Sequence, residues 1–559
     1  MDDQTPESSG ISRRAFVGGV AAAAGFMIVP RRVLGGPGYQ APSDTVNVAT
    51  VGYAHGMGTS NTRAAAKVAN IVALCDVDES EAAQARIVRS KILEECPKAT
   101  RYKDFRVMLE KQKDIDGVIV ATPDHAHAVV AMAAMQLGKH VYVQKPLTRT
   151  VSEARALTEA ARRYKVVTQM GNQGHSGEGV RLIEEWISDG AIGKVREVHC
   201  WTNRPIWPQG MPRPTETPAV PDGLDWDSWI GPSPMRPYHK AYHPFSWRSW
   251  FDFGCGALGD MACHVMDASY SALKLGYPTS VTAYLAQQTV EVPREDGTGT
   301  RNQRLTYKDS YPIATVVHFT FPERSKKLPA VRLHWYDGGI LPERPEELEP
   351  DRRLPESGTI FVGDKGKLIC ETYSESPRLI PERRMQAYKR PKKTIPRVVG
   401  SHEQNWIEGI QGKTKPTSNF DYSGPFTESV LLGCVAVLFP GNKLLWDGAN
   451  LKITNSPEAQ EFVQHHYRAG WSLWGLLRTE ELAGPGLITV LVRLPAAAEI
   501  SPDPFPFVPV RIPLSTAARR RDPAGSAGRR FPVRARSPDR SDSPRASSRR
   551  TCRPPSPGA

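Results

Sequence analysis

The sequence predicts an α/β domain with a doubly wound parallel sheet, followed by an α+β domain with a large, mostly antiparallel open sheet. Three observations predict this. Between residues 46 and 170 short apolar runs alternate with helical stretches, and the runs are nearly continuous in apolar residues, as strands covered on both faces are. A glycine-rich turn follows the first run, and an acidic residue closes the second. After Gly171 tryptophans, prolines and longer strands replace that rhythm, and helices become sparse.

Val46–Val51 is the first strand, and the helix after Gly58 carries Ala64-Ala-Ala-Lys-Val-Ala. Ile71–Cys75 is the second strand, Glu79–Glu95 a charged helical stretch and Phe105–Gln112 a short helix. Gly117–Thr122 is a strand, Ala126–Leu137 a helix, His140–Val143 a strand, Val151–Tyr164 a helix and Val166–Met170 a strand. In the second domain Ala314–Phe321 and Ala330–Trp335 read as strands, and Glu403–Ile410 and Phe426–Leu438 as helices. Leu444–Asn455 and Pro457–Tyr467 complete it. The expected division is a leader and linker over 1–43, the parallel domain over 44–170, the second domain over 171–473 and a tail over 474–559.

At 559 residues the chain has room for two or three domains, and 40% hydrophobic with 23% charged residues is ordinary globular composition. The net charge of +13 suggests a polyanion partner only if it lies on a folded face. It does not: from Trp474 onward stand 15 Arg, no Lys and 7 acidic residues, so +8 belongs to the tail. No nucleic-acid partner is expected. The tail, rich in Arg, Pro, Ser and Ala and without periodicity, is expected to be disordered, and its composition is closer to a translated alternative reading frame than to a selected domain.

Ser12-Arg-Arg-Ala-Phe-Val-Gly18 is a twin-arginine pattern followed by the apolar run Val20–Val29. That run falls short of the roughly 20 residues a membrane span needs, so it reads as a leader. The expectation is export through the twin-arginine machinery to the periplasm. No A-x-A site follows, which leaves an uncleaved, membrane-retained leader open. Eight cysteines without a C-x-x-C pair argue against a metal knuckle. A disulfide between Cys255 and Cys263 is left open.

The chemistry begins at Val46-Asn-Val-Ala-Thr-Val-Gly-Tyr-Ala-His-Gly-Met-Gly58. A strand breaking into Gly52, Gly56, Met57 and Gly58 lets backbone approach a pyrophosphate at a helix N-terminus, and Asp76, 24 residues after Gly52, can take up a ribose hydroxyl. That is a dinucleotide site. A carboxylate at Asp76 repels a 2′-phosphate and favours NAD over NADP. Ala54 departs from the pattern, standing where a second glycine is usual. In Ala121-Thr-Pro-Asp-His-Ala-His127, Asp124, His125 and His127 are expected to face the crevice at the strand's carboxyl edge, with Thr122 and Pro123 beside the cofactor. No third ligand is placed near the two histidines, so no metal is expected.

In Val141-Tyr-Val-Gln-Lys-Pro-Leu-Thr148, Gln144 and Lys145 follow a buried strand, and the Lys145 ammonium is placed to reach a substrate hydroxyl. Asp260 and His264 stand four apart in Gly254–His264 and share one helix face, with the imidazole suited to proton transfer if its pKa is near 7. Trp247 and Arg248, with Trp250 and Asp252, read as the wall of a sugar or polyol pocket.

Together these motifs resemble the Gfo/Idh/MocA family, from about Val46 to Leu473, and its exported, twin-arginine members above all. Gly171-Asn172-Gln173, Trp335-Tyr-Asp-Gly-Gly339, Gly358–Gly366, Asn405-Trp406 and Trp446-Asp-Gly448 add to the likeness. The resemblance implies a Rossmann domain holding NAD, and a second domain whose open sheet joins copies into a dimer or tetramer. It implies Lys145 as the group that polarises the reacting hydroxyl, His264 as acid/base, Asp260 as its orienting partner, and Asn172 and Gln173 at the substrate. Gln144 departs from the glutamate common at its position. The implied activity is oxidation or reduction of a secondary hydroxyl of a sugar or cyclitol with retained dinucleotide. An NAD-dependent glycosidase working by transient oxidation and elimination uses the same residues and stays open.

Overall fold

A computed structural model describes residues 45–304 and 307–474, and the backbone of two short tail strands. Six strands form the first sheet: β1 (Asn47–Val51), β2 (Asn70–Cys75), β3 (Thr100–Tyr102), β4 (Gly117–Val120), β5 (His140–Val143) and β6 (Thr168–Met170). Their order is β3-β2-β1-β4-β5-β6, all parallel. The winding reverses between β1 and β4, which opens a crevice at the carboxyl ends of those strands. Val48, Ala49, Val118, Ile119, Val141 and Tyr142 are fully buried, as expected for a sheet covered on both faces.

Helix α1 (Gly56–Ala66) starts before Gly58 and ends short of Val68-Ala69, α2 (Asp124–Gln136) is displaced at its start, and α3 (Val151–Tyr164) has the expected bounds. The stretch after Glu79 is not one helix. It breaks at Lys91, whose φ of 58° is left-handed, into Glu81–Ser90 and Ile92–Glu95. Strand β3 was not anticipated, because three mostly exposed residues carry no apolar signal. Pro123, with φ of −58°, caps α2 and starts it at Asp124, two residues earlier than expected.

The second sheet comprises β7 (Val195–Trp201), β8 (Ser280–Leu285), β11 (Thr315–Phe321), β12 (Val331–Tyr336), β13 (Gly358–Gly363), β14 (Gly366–Glu371), β15 (Arg378–Ile380), β16 (Leu444–Asp447) and β17 (Lys452–Ile453). A hairpin of β9 (Thr289–Pro293) and β10 (Thr300–Arg304) stands apart from it. The nine strands run β15-β14-β13-β7-β12-β11-β8-β16-β17, antiparallel except where β7 meets β12. Along β11, Val317, Phe319 and Phe321 are buried while Val316, His318 and Thr320 are half-buried, the period of two for a sheet with one covered face.

Helix α4 (Gly256–Val265) brings the D-x-x-x-H pair to the first sheet's crevice, and α5 (His402–Ile410) returns to the first domain. Trp406 and Ile407 of α5 share a core with Val48, Ile119 and Tyr142, so residues 171–473 form a chain segment whose packing reaches back into 44–170. Helix α6 (Phe420–Val437) begins six residues before the expected Phe426 and runs through Pro425. Burial of Phe420 and the Asn419 cap onto the Asp421 N–H offset the bond that proline removes. Arg155 of α3 grips Glu428 of α6 through Nε at 2.9 Å and Nη2 at 2.8 Å, fixing the two domains against each other.

Within the tail, expected to be disordered, β18 (Leu487–Val490) pairs antiparallel with β19 (Val510–Pro513). The leader and the rest of the tail lie outside the described residues. No described helix is long and apolar enough to cross a membrane.

Candidate active site

The crevice begins at the glycine turn. Gly52 has φ of +87°, its N–H donates to Cys75 O at 2.8 Å, and a Cβ there would lie 2.6 Å from Ala121 O. A Cβ on Gly58 would fall 1.9 Å from Gly52 O, so the first turn of α1 rests directly on the bend. At Gly56 a Cβ meets open space, and Met57 is exposed at the rim. The residue that breaks the glycine pattern has a task of its own: the Ala54 N–H donates to Asp76 Oδ2 at 2.9 Å, while the Asp78 N–H donates to Oδ1 at 3.1 Å. Burial raises the Asp76 carboxyl to about 6 against these two bonds. A bend too close for any side chain, a helix start and an anchored carboxylate fit a dinucleotide.

A cavity of about 480 Å³ runs from this turn to the second domain. Val77, Asp104, Phe105, Arg106 and Trp471 line one end with Asp76, and Asp124, Lys145, Trp247, Arg248 and Asp260 line the other. Between them lie Gly52, Gly56, Met57, Gly58, Thr122, Pro123, His127 and Gln144. The Arg106 guanidinium sits 5.1 Å from the Trp471 ring centroid, closing the first end with a residue far along the chain.

At the second end Lys145 donates from Nζ to Asp260 Oδ1 and to Asp260 O, both at 2.9 Å. Arg248 donates from Nε to Asp260 Oδ1 at 3.2 Å, with its guanidinium 4.2 Å over the Trp247 ring. Burial opposes ionisation of Asp260, but the Lys145 and Arg248 charges outweigh it and hold its pKa at about 2. Asp124 has the opposite fate. It is buried beside the same groups, and desolvation raises its carboxyl to about 7.

Histidines 125 and 127 divide by helix phase. Asp124 and His127, three apart on α2, share the cavity face, and His125 points away. Its Nε2 lies 2.8 Å from Trp229 O and its Nδ1 3.2 Å from Phe253 O, so it joins the domains instead of meeting the cofactor. His127 sits with Nδ1 2.8 Å from Pro146 O and Nε2 2.9 Å from Thr122 O, bracing the two strand ends that carry the site. Burial lowers both imidazoles to about 4. Gln144 donates from Nε2 to Asn61 Oδ1 at 2.7 Å, and Asn61 in turn donates to Glu403 Oε1 at 2.6 Å. An amide is needed there, because Asn61 presents an oxygen.

Three expected substrate residues lie outside the cavity lining. Asn172 donates to Asp267 Oδ1 at 3.0 Å, a carboxylate that also takes His175 Nδ1 and, at 2.7 Å, the Tyr422 hydroxyl; Asn172 Oδ1 is buried without a partner. Gln173 is exposed. His264 shares α4 with Asp260, as the spacing requires, but is buried with its ring 4.8 Å from Tyr373 and its Nδ1 unpartnered. Its pKa is not near 7. Burial, and then the Lys145 charge, lower it to about 3.

Trp250 is fully buried and donates to Ala241 O, and Asp252 pairs with Arg236, so neither forms the pocket wall. Cys255 and Cys263 are separate buried thiols. Sequence reasoning missed a cluster over the glycine turn, where His243 Nε2 meets Asp78 Oδ2 at 3.2 Å and Arg86 Nη2 lies 2.9 Å from that oxygen and 3.0 Å from His55 Nε2. His55, Asp78 and His243 stand close enough to hold a metal ion. The Arg86 guanidinium on two of those atoms makes the cluster an ion-paired latch between domains. Residues 55, 78, 86 and 243 carry no common local pattern that could have revealed it.

Residues 46–172 match the model described as oxidoreductase family, NAD-binding Rossmann fold, and residues 195–314 match that of its C-terminal alpha/beta domain. These two stretches are therefore similar to the two domains of the Gfo/Idh/MocA family. A levoglucosan dehydrogenase of Pseudarthrobacter phenanthrenivorans is 30% identical over 195 residues, 35% of this chain and 41% of that relative. An inositol 2-dehydrogenase of Salmonella typhimurium is 30% identical over 155 residues, 28% of this chain and 43% of the relative. The chain thus spans about two fifths of the length of these curated relatives. Among solved structures, the WlbA dehydrogenase from Bordetella pertussis in complex with NADH and UDP-GlcNAcA aligns at 17% identity and a TM-score of 0.46, over 72% of this chain and 99% of that one.

Proposed function

We propose that this protein is an NAD-dependent oxidoreductase acting on a secondary hydroxyl of a sugar or cyclitol. One observation carries the reading: a lysine at the carboxyl edge of the first sheet is locked onto an aspartate of the second domain inside the cavity that begins at the glycine turn. The relatives named for levoglucosan and inositol support the substrate class. Bound NAD supplies the hydride acceptor. Lys145 lowers the cost of charge on the reacting oxygen, and Asp260 fixes that ammonium in place. His264, expected as the acid/base, lies outside the cavity lining and is not assigned the hydroxyl proton. Asp124, buried on the cavity lining with its carboxyl raised to about 7, is the group there whose proton affinity suits transfer near neutral pH. Trp247 and Arg248 give the sugar an apolar face beside a cation.

The dinucleotide stays bound between turnovers in this reading. The Glu79 N–H donates to Gly223 O and the Asp225 N–H to Val77 O, both at 3.0 Å, and His243 reaches Asp78 across the same edge. Second-domain backbone therefore straps the segment that follows Asp76. A retained cofactor suits export by the twin-arginine route to the periplasm, which the Ser12–Gly18 pattern and the Val20–Val29 run support. His199, Tyr284, His318, His334 and Tyr336 on the outward face of the second sheet support self-association as a dimer or tetramer.

Purified protein is expected to show nicotinamide absorbance and fluorescence, and the reduced band should rise on adding levoglucosan, an inositol or a related polyol. Protein that neither carries nor takes up dinucleotide would falsify the proposal.

A further inference from the structure

A second cavity, of about 290 Å³, is lined by the segment after Pro146, by α6 and by residues 461–466. Four basic side chains reach it, Arg149, Lys308, His465 and His466, against two carboxylates, Asp252 and Glu461. Asp252 is already paired with Arg236. Arg149 donates from Nη1 to Phe251 O at 2.8 Å, yet its Nε is buried without a partner. His465 sits with Nδ1 3.0 Å from Glu153 Oε1, an oxygen that also accepts from the Tyr467 hydroxyl at 2.6 Å, and its Nε2 is likewise buried and unpartnered. Arg149 Nε is an unpaired buried donor on this cavity and costs stability unless an acceptor fills the space, and His465 Nε2, with Nδ1 turned to Glu153, becomes a second donor there when the ring is protonated. Leu431 and Val435 of α6 supply an apolar floor beneath them.

We propose that this cavity is a binding site for a small oxyanion, a carboxylate, sulfate or phosphoryl group, with room for an apolar flank. Arg149 Nε is its standing donor, and His465 Nε2 donates once the ring takes up a proton. Burial, then the Arg149 charge, and less strongly His466, depress protonation of His465, while Glu153 favours it. Lys308 and Glu461 face the same space with opposite charge. An arriving anion adds negative charge beside Nε2, so binding takes up a proton there and tightens as pH falls. The site shares none of its lining with the 480 Å³ cavity.

The test is isothermal titration of sulfate into the full-length, dinucleotide-loaded protein, with phenyl phosphate in a parallel arm. Saturable one-to-one sulfate binding is expected, several-fold tighter at pH 6 than at pH 8. Arg149→Met should weaken it at least about ten-fold, the loss of a hydrogen bond to a charged group, and His465→Phe should remove the pH dependence. If Arg149→Met does not fold, Arg149→Lys is read instead, since it keeps the charge and loses Nε. Tighter phenyl phosphate marks an organic acid as the natural occupant, and equal affinity marks the free ion. No saturable binding by the parent protein, or binding unchanged in the Arg149 and His465 variants, overturns the proposal.

Discussion

The two ends of the large cavity are built on different physical principles. At the glycine turn the working parts are backbone: a bend with no room for Cβ, a helix start laid on it, and two N–H groups holding one carboxylate. At the Lys145 end the working parts are side chains from separate domains, and burial together with neighbouring charge decides their states. Three titratable groups there are driven apart, Asp260 to about 2, His264 to about 3 and Asp124 to about 7. The first end is made rigid by shape and the second is tuned by electrostatics. Substitutions at the two ends should therefore fail in different ways.

The largest effect belongs to the charged end. Lys145→Ala should lower kcat by about 10³-fold or more while the dinucleotide dissociation constant moves by no more than about three-fold. Steady-state rates beside a fluorescence titration measure both, and retained turnover removes Lys145 from its role. Next comes the steric end. Gly58→Val should weaken dinucleotide binding by about 100-fold, through displacement of the bend its Cβ would strike. Gly56→Ala, with open space at its Cβ, should keep stability within about 0.5 kcal/mol. Normal binding by Gly58→Val would show that the bend has slack and that the contrast between the ends is false.

Asp124 sharpens the comparison through pH. Its carboxyl is raised to about 7, so between roughly pH 4 and 7 the unfolded chain is ionised where the folded one is protonated. Folding then takes up a proton, and this group's contribution falls as pH rises through that window and is level above it. Asp124→Asn removes the penalty. Its stability gain over the parent should grow from pH 4 to 7 and reach at most about 4 kcal/mol, read from denaturant midpoints at each pH. A gain independent of pH would mean the carboxyl is not held protonated.

Smaller effects are expected at the anchoring groups. Asp76→Ala should weaken NAD about ten-fold and narrow its advantage over NADP, since a charge-assisted ribose contact and a like-charge repulsion go together. His243→Ala, which cuts the bond to Asp78, should speed dinucleotide release a few-fold in a stopped-flow chase. A release rate unmoved by that change leaves the backbone strap at 77–79 as the sole brake.

The same contrast explains what was legible in the sequence. Gly52, Gly58 and Asp76 act through local spacing, so a linear reading found them. Lys145 and Asp260 were each found as motif residues, but their bond spans 115 positions and nothing local announces it. His125 and His127 were assigned together because the start of α2 was misplaced by two residues. Once Asp124 is the first helical residue, the phase sends one histidine to the cavity and the other to the domain interface. The His264 pKa was misjudged for a related reason, since burial and a lysine from another domain are properties of packing. The straps over the turn and Trp471 at the far end were invisible for the same cause.

An ammonium has three hydrogens, and Lys145 commits two of them to Asp260, one to the carboxylate and one to the main chain of the same residue. The remaining hydrogen is left with a single direction in which to serve an alcohol. An alcohol must bring its oxygen to that one line, so this locked side chain decides where the reacting hydroxyl sits, and handedness is sorted by how the rest of the sugar then meets Trp247 and Arg248.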